Sequence, residues 1–271
     1  MILGGAETML HALVPPSRAA PPMAVRIAVV ALAGWAVVVS AASSATAVQR
    51  ALTVDGETRH YYLLIPEELG SEPAPLLLVL HGSGGDARGL LNAWGELAAR
   101  ERIVLAAPEA IDRTSWQVPE DGPEFLYRLV EEVKAGVSVD PRRVYLFGHS
   151  AGAWFGMKMA LLESEYFAAA ALSAGGLQPG GRPQLLAAAR KIPLTIFIGV
   201  EDTVVPLATA RETRDTLAAE GFPVHLIEIE RHDHNYRRRA PEINRQAWEF
   251  LAAQALDAEP HYQAYRVPAR R

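Results

Sequence analysis

The residues with most to say about chemistry are Val144-Tyr145-Leu146-Phe147-Gly148-His149-Ser150-Ala151-Gly152. An apolar run suited to a strand passes straight into Gly-x-Ser-x-Gly, and a helical pattern starts near Ala151. That strand, turn and helix would lift Ser150 Oγ clear of a sheet at a helix N-terminus, where the dipole favours developing negative charge. The flanking glycines let neighbouring backbone approach closely. The bland alternative is a structural turn, because short glycine motifs also arise by chance. A nucleophilic serine needs a base, an orienting carboxylate and donors for an oxyanion. After the apolar run ending at Leu80 stands His81-Gly82-Ser83-Gly84-Gly85, a flexible loop whose N–H groups can turn inward. The expected donors are the amides of Ser83 and Ala151, with Gly84 as a substitute for the first. A phosphate cradle would need a Walker lysine or G-x-G-x-x-G spacing, and neither is present.

Elements that could carry these loops alternate along the chain. A hairpin is expected from 51–54, the turn Asp55-Gly56, and 59–65 closed by Pro66. An unbroken apolar run follows at 76–80, with similar runs at 103–107, 144–147, 168–172, 192–198 and 224–229, a pattern suited to strands covered on both faces. Helical patterns fall at roughly 88–100, 123–136, 151–163, 208–220 and 241–256. Strands alternating with helices predict an α/β fold, a mostly parallel central sheet with helices on both faces.

Composition narrows the function. Half of the 271 residues are hydrophobic and 21% are charged, which excludes a disordered polar chain. A net charge of −5 argues against nucleic acid as a partner, since phosphate binding needs a basic surface. The chain has no cysteine, so thiol nucleophiles, thiolate metal sites and disulfides are out.

Taken together, the His-Gly loop and the Gly-x-Ser-x-Gly elbow resemble the α/β-hydrolase family over essentially all of residues 48–256. Within it, the compact secreted esterases of the feruloyl esterase and polyhydroxyalkanoate depolymerase type are most similar. They also carry a loop resembling Glu120-Asp121-Gly122-Pro123-Glu124-Phe125-Leu126 ahead of Val139-Asp140-Pro141-Arg142-Arg143-Val144-Tyr145 and the elbow. The resemblance implies the chain order Ser, acid, His. The acid should follow the next-but-one strand after the elbow, where Gly199-Val200-Glu201-Asp202-Thr203-Val204-Val205-Pro206 resembles the family's acid loop. Asp202 is the choice and Glu201 the alternative. The base should follow the last strand, within Glu230-Arg231-His232-Asp233-His234-Asn235-Tyr236. His234-Asn235-Tyr236 resembles the family's His-x-aromatic pattern, so His234 is expected as base and His232 stays open. A metal site at His232, Asp233 and His234 is a minor alternative. His81 is expected to brace its loop and His149 to pack beside the site. His60, His225 and His261 have no chemical context. Arg237, Arg238 and Arg239 could attract an anionic group or simply form a solvated face.

Residues 1–47 read differently. Arg26 precedes the uncharged apolar run 27–39, and small residues follow, ending Ala45-Thr46-Ala47. Basic, apolar, small with an A-x-A end is how a secretory signal is built, and the run falls short of the roughly 20 apolar residues a spanning helix needs. Cleavage after Ala47 is expected. Pro15-Pro16 and Pro21-Pro22 are unlike a compact leader, so translation from Met23 is suspected. A membrane anchor at residues 24–42 is the alternative. The tail 257–271 loses periodicity and is expected to fray.

Only residues 174–190 separate the strand after the elbow from the acid strand, too few for a cap domain. An open site suits a bulky or polymer-attached ester, with Trp116 and Trp154 as plausible pocket walls. The expectation is therefore an exported, monomeric serine ester hydrolase without metal or cofactor. Its partner would be a small-molecule or polymer-attached ester, with no nucleic acid and no stable membrane association after leader cleavage. Its rivals are a peptidase or acyltransferase on the same fold, and a non-catalytic hydrolase-like binding protein.

Overall fold

In a computed structural model of the protein, residues 46–264 are described apart from 179, 182–184 and 186. The expected leader up to residue 45, its start at Met23 and the anchor at 24–42 lie outside the described residues.

The apolar run before the His-Gly loop forms β3 (Ala74–Leu80), buried along its whole length. Its side chains alternate between two cores, as the twofold period of a strand requires. Leu76, Leu78 and Leu80 join one apolar cluster and Leu77 and Val79 another. This is why the sequence shows no polar alternation: both faces are covered. Around β3 lie β1 (Val48–Val54), β2 (Glu57–Leu64), β4 (Val104–Pro108), β5 (Val139–His149), β6 (Ala169–Ser173), β7 (Leu194–Gly199) and β8 (Val224–Ile229), in the spatial order β1-β2-β4-β3-β5-β6-β7-β8. The β1–β2 hairpin is antiparallel and joins β4 antiparallel, while β4 through β8 run parallel.

Helices α1 (Ala87–Glu101) and α5 (Ala240–Ala252) pack on the Leu77 side, and α2 (Pro123–Gly136), α3 (Ala151–Leu162) and α4 (Leu207–Ala219) on the Leu76 side. The helix α2 begins with Pro123 in its first turn and buries Phe125, Leu126, Leu129, Val130 and Val133 along one stripe. By contrast, α3 is apolar nearly all round and buried on most of its surface, as a helix wedged into a core must be. The α/β-hydrolase architecture expected from the sequence is present, with only residues 174–193 between β6 and β7. Arg190 anchors the end of that segment, donating to the carbonyls of Ser164, Phe167 and Ala168.

The tail does not fray through residue 264. The amides of Leu256 and His261 donate to the carbonyls of Arg142 and Glu165, and Tyr262 stacks on Tyr127 at 4.1 Å with its hydroxyl on Glu124. These partners lie far back in the chain, so the lost helical period marks an irregular strap rather than a loose end. Among the described residues, no helix is long and apolar enough to cross a membrane.

Candidate active site

Every site loop hangs from the carboxyl end of a parallel strand, where loops converge and ligands bind in open α/β sheets. At the end of β5, Ser150 is held at φ 54°, ψ −119°, a region a non-glycine residue occupies at a cost of about 1–3 kcal/mol. Its neighbours show why glycine flanks it. A Cβ on Gly148 would stand 2.3 Å from the Gly152 carbonyl oxygen, and one on Gly152 would stand 2.1 Å from that of Leu80. The Ser150 N–H donates to the Ser173 carbonyl at 2.9 Å, locking the turn onto the end of β6.

Asp202 follows β7 and is buried, its side chain fully so. Its Oδ1 accepts the amides of Val204 and Val205 at 2.9 and 2.8 Å, which leaves Oδ2 for His234 Nδ1 at 2.8 Å. His234 Nε2 lies 2.9 Å from Ser150 Oγ. Residues 84 positions apart in the chain thus form one line of contacts from carboxylate to imidazole to hydroxyl. Glu201 is exposed and spends its amide on the His232 carbonyl at 2.9 Å. His232 is buried, which pushes its imidazole below the ordinary range. Its carbonyl is wedged against Gly199, where a Cβ would approach it to 2.2 Å. Asp233 pairs instead with Arg238 at 2.7 Å. The trio His232, Asp233 and His234 therefore does not converge: Asp233 turns to Arg238 and His234 to Asp202 and Ser150. Among the described residues, no group of three or more His, Asp or Glu is placed to hold a metal ion.

His149 packs against His234 and Tyr236 at ring distances of 5.2 and 5.3 Å. Burial, with the nearby His234 second, pushes it down to about 4, and its Nδ1 has no hydrogen-bond partner. It is a neutral aromatic wall for the imidazole.

On the other side of Ser150 runs the loop of residues 81–85. Ala151 opens α3, so its N–H has no intrahelical acceptor, and the Ser83 N–H donates to no group among the described residues. The substitute donor Gly84 is ruled out, because its N–H is spent on the Arg113 carbonyl at 2.8 Å. His81 is a brace: Nε2 accepts the Ala110 amide at 3.3 Å, which assigns the proton to Nδ1, 2.9 Å from the Gly82 carbonyl.

A cleft of about 500 Å³ opens over Ser150 and His234. It runs between the start of α1 and the segment before α5, lined by Asp86, Leu90, Asn92, Asn235, Arg237 and Ala240 among others. Asp86 caps α1 by accepting the Gly89 amide. Of the three arginines after the base, Arg238 pairs with Asp233 and Arg239 with Glu242, and only Arg237 faces the cleft. The expected aromatic walls are not there. Trp116 turns away to donate its indole N–H to the His81 carbonyl at 2.9 Å and to stack on Phe155 at 4.6 Å. Trp154 faces a small separate depression with Met157 and Leu161. Both rings lie on the Leu76 side of the sheet, packed against the core that also holds α3, whereas the cleft opens toward α1 and α5. Sequence reasoning missed Asp86 and Asn92 as cleft groups, and of the three arginines it offered for an anionic group only Arg237 lines the cleft. A cap signal, Asp three residues before Gly89, was available only for Asp86.

The profile of the dienelactone hydrolase family matches residues 101–261. Poly(3-hydroxyalkanoate) depolymerase C of Paucimonas lemoignei is 32% identical over 116 residues, 38% of this chain and 28% of that protein. The candidate esterase NocK of Nocardia uniformis subsp. tsuyamanensis is 30% identical over 179 residues, 60% of this chain and 51% of that one. The chain thus spans about half or less of the length of these relatives. Among solved structures, a ferulic acid esterase from Anaeromyces mucronatus superposes with a TM-score of 0.64 at 15% identity, covering 79% of this chain and 92% of that one. At that identity the likeness speaks for the fold.

Proposed function

The chain belongs to the dienelactone hydrolase family, and from that premise we propose that it is an exported serine esterase working through Ser150, His234 and Asp202. One observation carries the reading: Ser150 Oγ, His234 and Asp202 in continuous contact at 2.9 and 2.8 Å, with the Ser83 and Ala151 N–H groups donating to no other acceptor among the described residues. His234 Nε2 takes the Ser150 proton as Oγ attacks the ester carbonyl. Asp202 fixes the Nδ1–H tautomer and stabilises the imidazolium without accepting its proton. The amides of Ser83 and Ala151 hold the tetrahedral oxyanion, His234 protonates the departing alcohol, and water clears the acyl-enzyme by the same route. No step calls for a metal or organic cofactor. The open cleft suits a bulky or polymer-attached ester. That the relatives include proteins named as an esterase and a poly(3-hydroxyalkanoate) depolymerase supports the same class.

Hydrolysis of p-nitrophenyl esters and labelling by a fluorophosphonate, each with Ser150→Ala as control, test this reading. Turnover should fall by at least about 10⁴-fold in the variant, and labelling should vanish. Near-normal turnover by Ser150→Ala sinks the mechanism. Peptide cleavage, or partition of product toward added alcohols over water, would reassign the reaction to a peptidase or acyltransferase. N-terminal sequencing of protein recovered outside the cytoplasm should begin at Val48 if residues 1–47 are a cleaved leader.

A further inference from the structure

We propose that Trp116 is a positioning residue for the oxyanion donors, aiming the Ser83 amide through its hydrogen bond to the His81 carbonyl. The inference rests on the serine-esterase reading above. Trp116 belongs to the loop of residues 109–121 and does not line the cleft, which points to an action through its neighbours rather than through the substrate. Its indole N–H donates to the His81 carbonyl at 2.9 Å, while the ring is held between the His81 imidazole at 4.8 Å and Phe155 of α3, stacked at 4.6 Å.

The same carbonyl is also confined by the elbow. A Cβ on Gly152 would come within 2.6 Å of it, and one on Gly82 within 3.2 Å of Ser150 Cβ. The His81–Gly82 peptide is therefore held both by the elbow that carries Ala151 and by the indole of Trp116. Beyond Ser83 the grip resumes, with the Gly84 N–H donating to the Arg113 carbonyl at 2.8 Å. Ser83 is left with its own N–H unspent between two anchored residues.

All these bonds come from one loop, and that loop is itself fixed. Asp121 is fully buried and accepts the Ile111 and Gln117 amides at 3.1 and 2.7 Å, together with the Arg59 guanidinium. The gap between the two oxyanion donors is thus set by a chain of contacts running Asp121, loop 109–121, Trp116, His81, Ser83. Preorganised donors of this kind work only if aimed at the transition-state oxygen rather than the ground-state carbonyl. Losing the indole bond should therefore act on the chemical step.

The test compares wild type with Trp116→Phe, and with an isosteric replacement of the Trp116 indole by benzothiophene, which removes the N–H and keeps the ring. On a p-nitrophenyl ester, kcat should fall about ten- to hundredfold with KM within about twofold of wild type. Affinity for an aryl boronic acid, which builds the tetrahedral adduct, should fall in the same proportion. The melting temperature of the benzothiophene protein should stay near that of wild type. Unchanged kcat in the benzothiophene protein would overturn the proposal, as would a raised KM at constant kcat, which would make Trp116 a substrate wall. A wild-type protein inert toward esters and fluorophosphonate would instead overturn the serine-esterase reading, and this inference with it.

Discussion

The two sides of Ser150 are built by different means. On the acid–base side, Asp202 and His234 sit one turn beyond the ends of β7 and β8. They are held mostly by main chain: two amides on Asp202 Oδ1, and the Glu201 amide on the His232 carbonyl. On the oxyanion side, the loop after β3 is held by side chains and amides of a second loop, through His81, Trp116 and Arg113. The first arrangement follows from strand ends lying side by side in a parallel sheet. The second depends on contacts between segments some 30 residues apart. A change on the first side should therefore strike chemistry alone, while a change beneath the second should reach the site through the fold.

The sharpest way to break this contrast is Asp202→Asn. Asparagine keeps an oxygen for the Val204 and Val205 amides, so the fold should survive, but the imidazole tautomer is lost. Turnover should drop about 10⁴-fold with little change in denaturation midpoint. A loss below tenfold would transfer the acid role to Glu201.

Next comes Asp121→Ala, beneath the oxyanion side. Arg59 lies buried over the Phe125 ring at 3.7 Å and would keep its charge with no carboxylate opposite it, held by the Glu109 and Glu120 carbonyls alone. Urea unfolding should report a loss of about 3–5 kcal/mol, and the folded fraction should show reduced kcat. Full stability with full activity would remove the distinction between the two sides.

The smallest effect concerns His149. Its folded value of about 4 lies below the ordinary 6.5, because burial disfavours its charged form. The unfolded chain binds a proton there first as pH falls. The associated stability is present above pH 6.5 and is lost progressively down to about pH 4, on the order of 3 kcal/mol in all. In His149→Phe, unfolding free energies measured from pH 7 to pH 4 should fall less steeply by that amount. The same slope as wild type would show that His149 is not held neutral.

The acid–base side was also the more legible in the sequence. Gly148-His149-Ser150-Ala151-Gly152 is a local signal, because a close backbone approach at 148 and 152 leaves room for glycine alone. The pattern around Asp202 is local for a similar reason: the turn itself supplies the amides. The resemblance at His234-Asn235-Tyr236 already favoured His234 over His232, and both follow β8, but that only His234 reaches Ser150 is visible in three dimensions alone. Trp116 misled for a comparable reason. An aromatic residue in a loop near the site looks like a pocket wall, and nothing in its neighbourhood announces a bond to a carbonyl 35 residues earlier. The strand runs were recognisable because both sheet faces are apolar. The strap of residues 253–264 was not, because irregular chain held by distant partners has no period to detect.

The alternation along β3 has one more consequence. Leu77 and Val79 support α1 and α5, whose N-terminal halves, with the cap Asp86, supply Asn92 and Ala240 to the cleft, whereas Leu76, Leu78 and Leu80 support α3 beneath the nucleophile. The walls that meet a substrate and the helix that carries the nucleophile thus draw on separate cores, insulated from each other by the thickness of the sheet. Substitutions in the α1–α5 core away from Phe147 and Tyr236, which reach the elbow through His149, can alter which esters fit while leaving the Ser150 turn undisturbed. Selection for a new substrate, in nature or in the laboratory, has that outer layer of the molecule to work on.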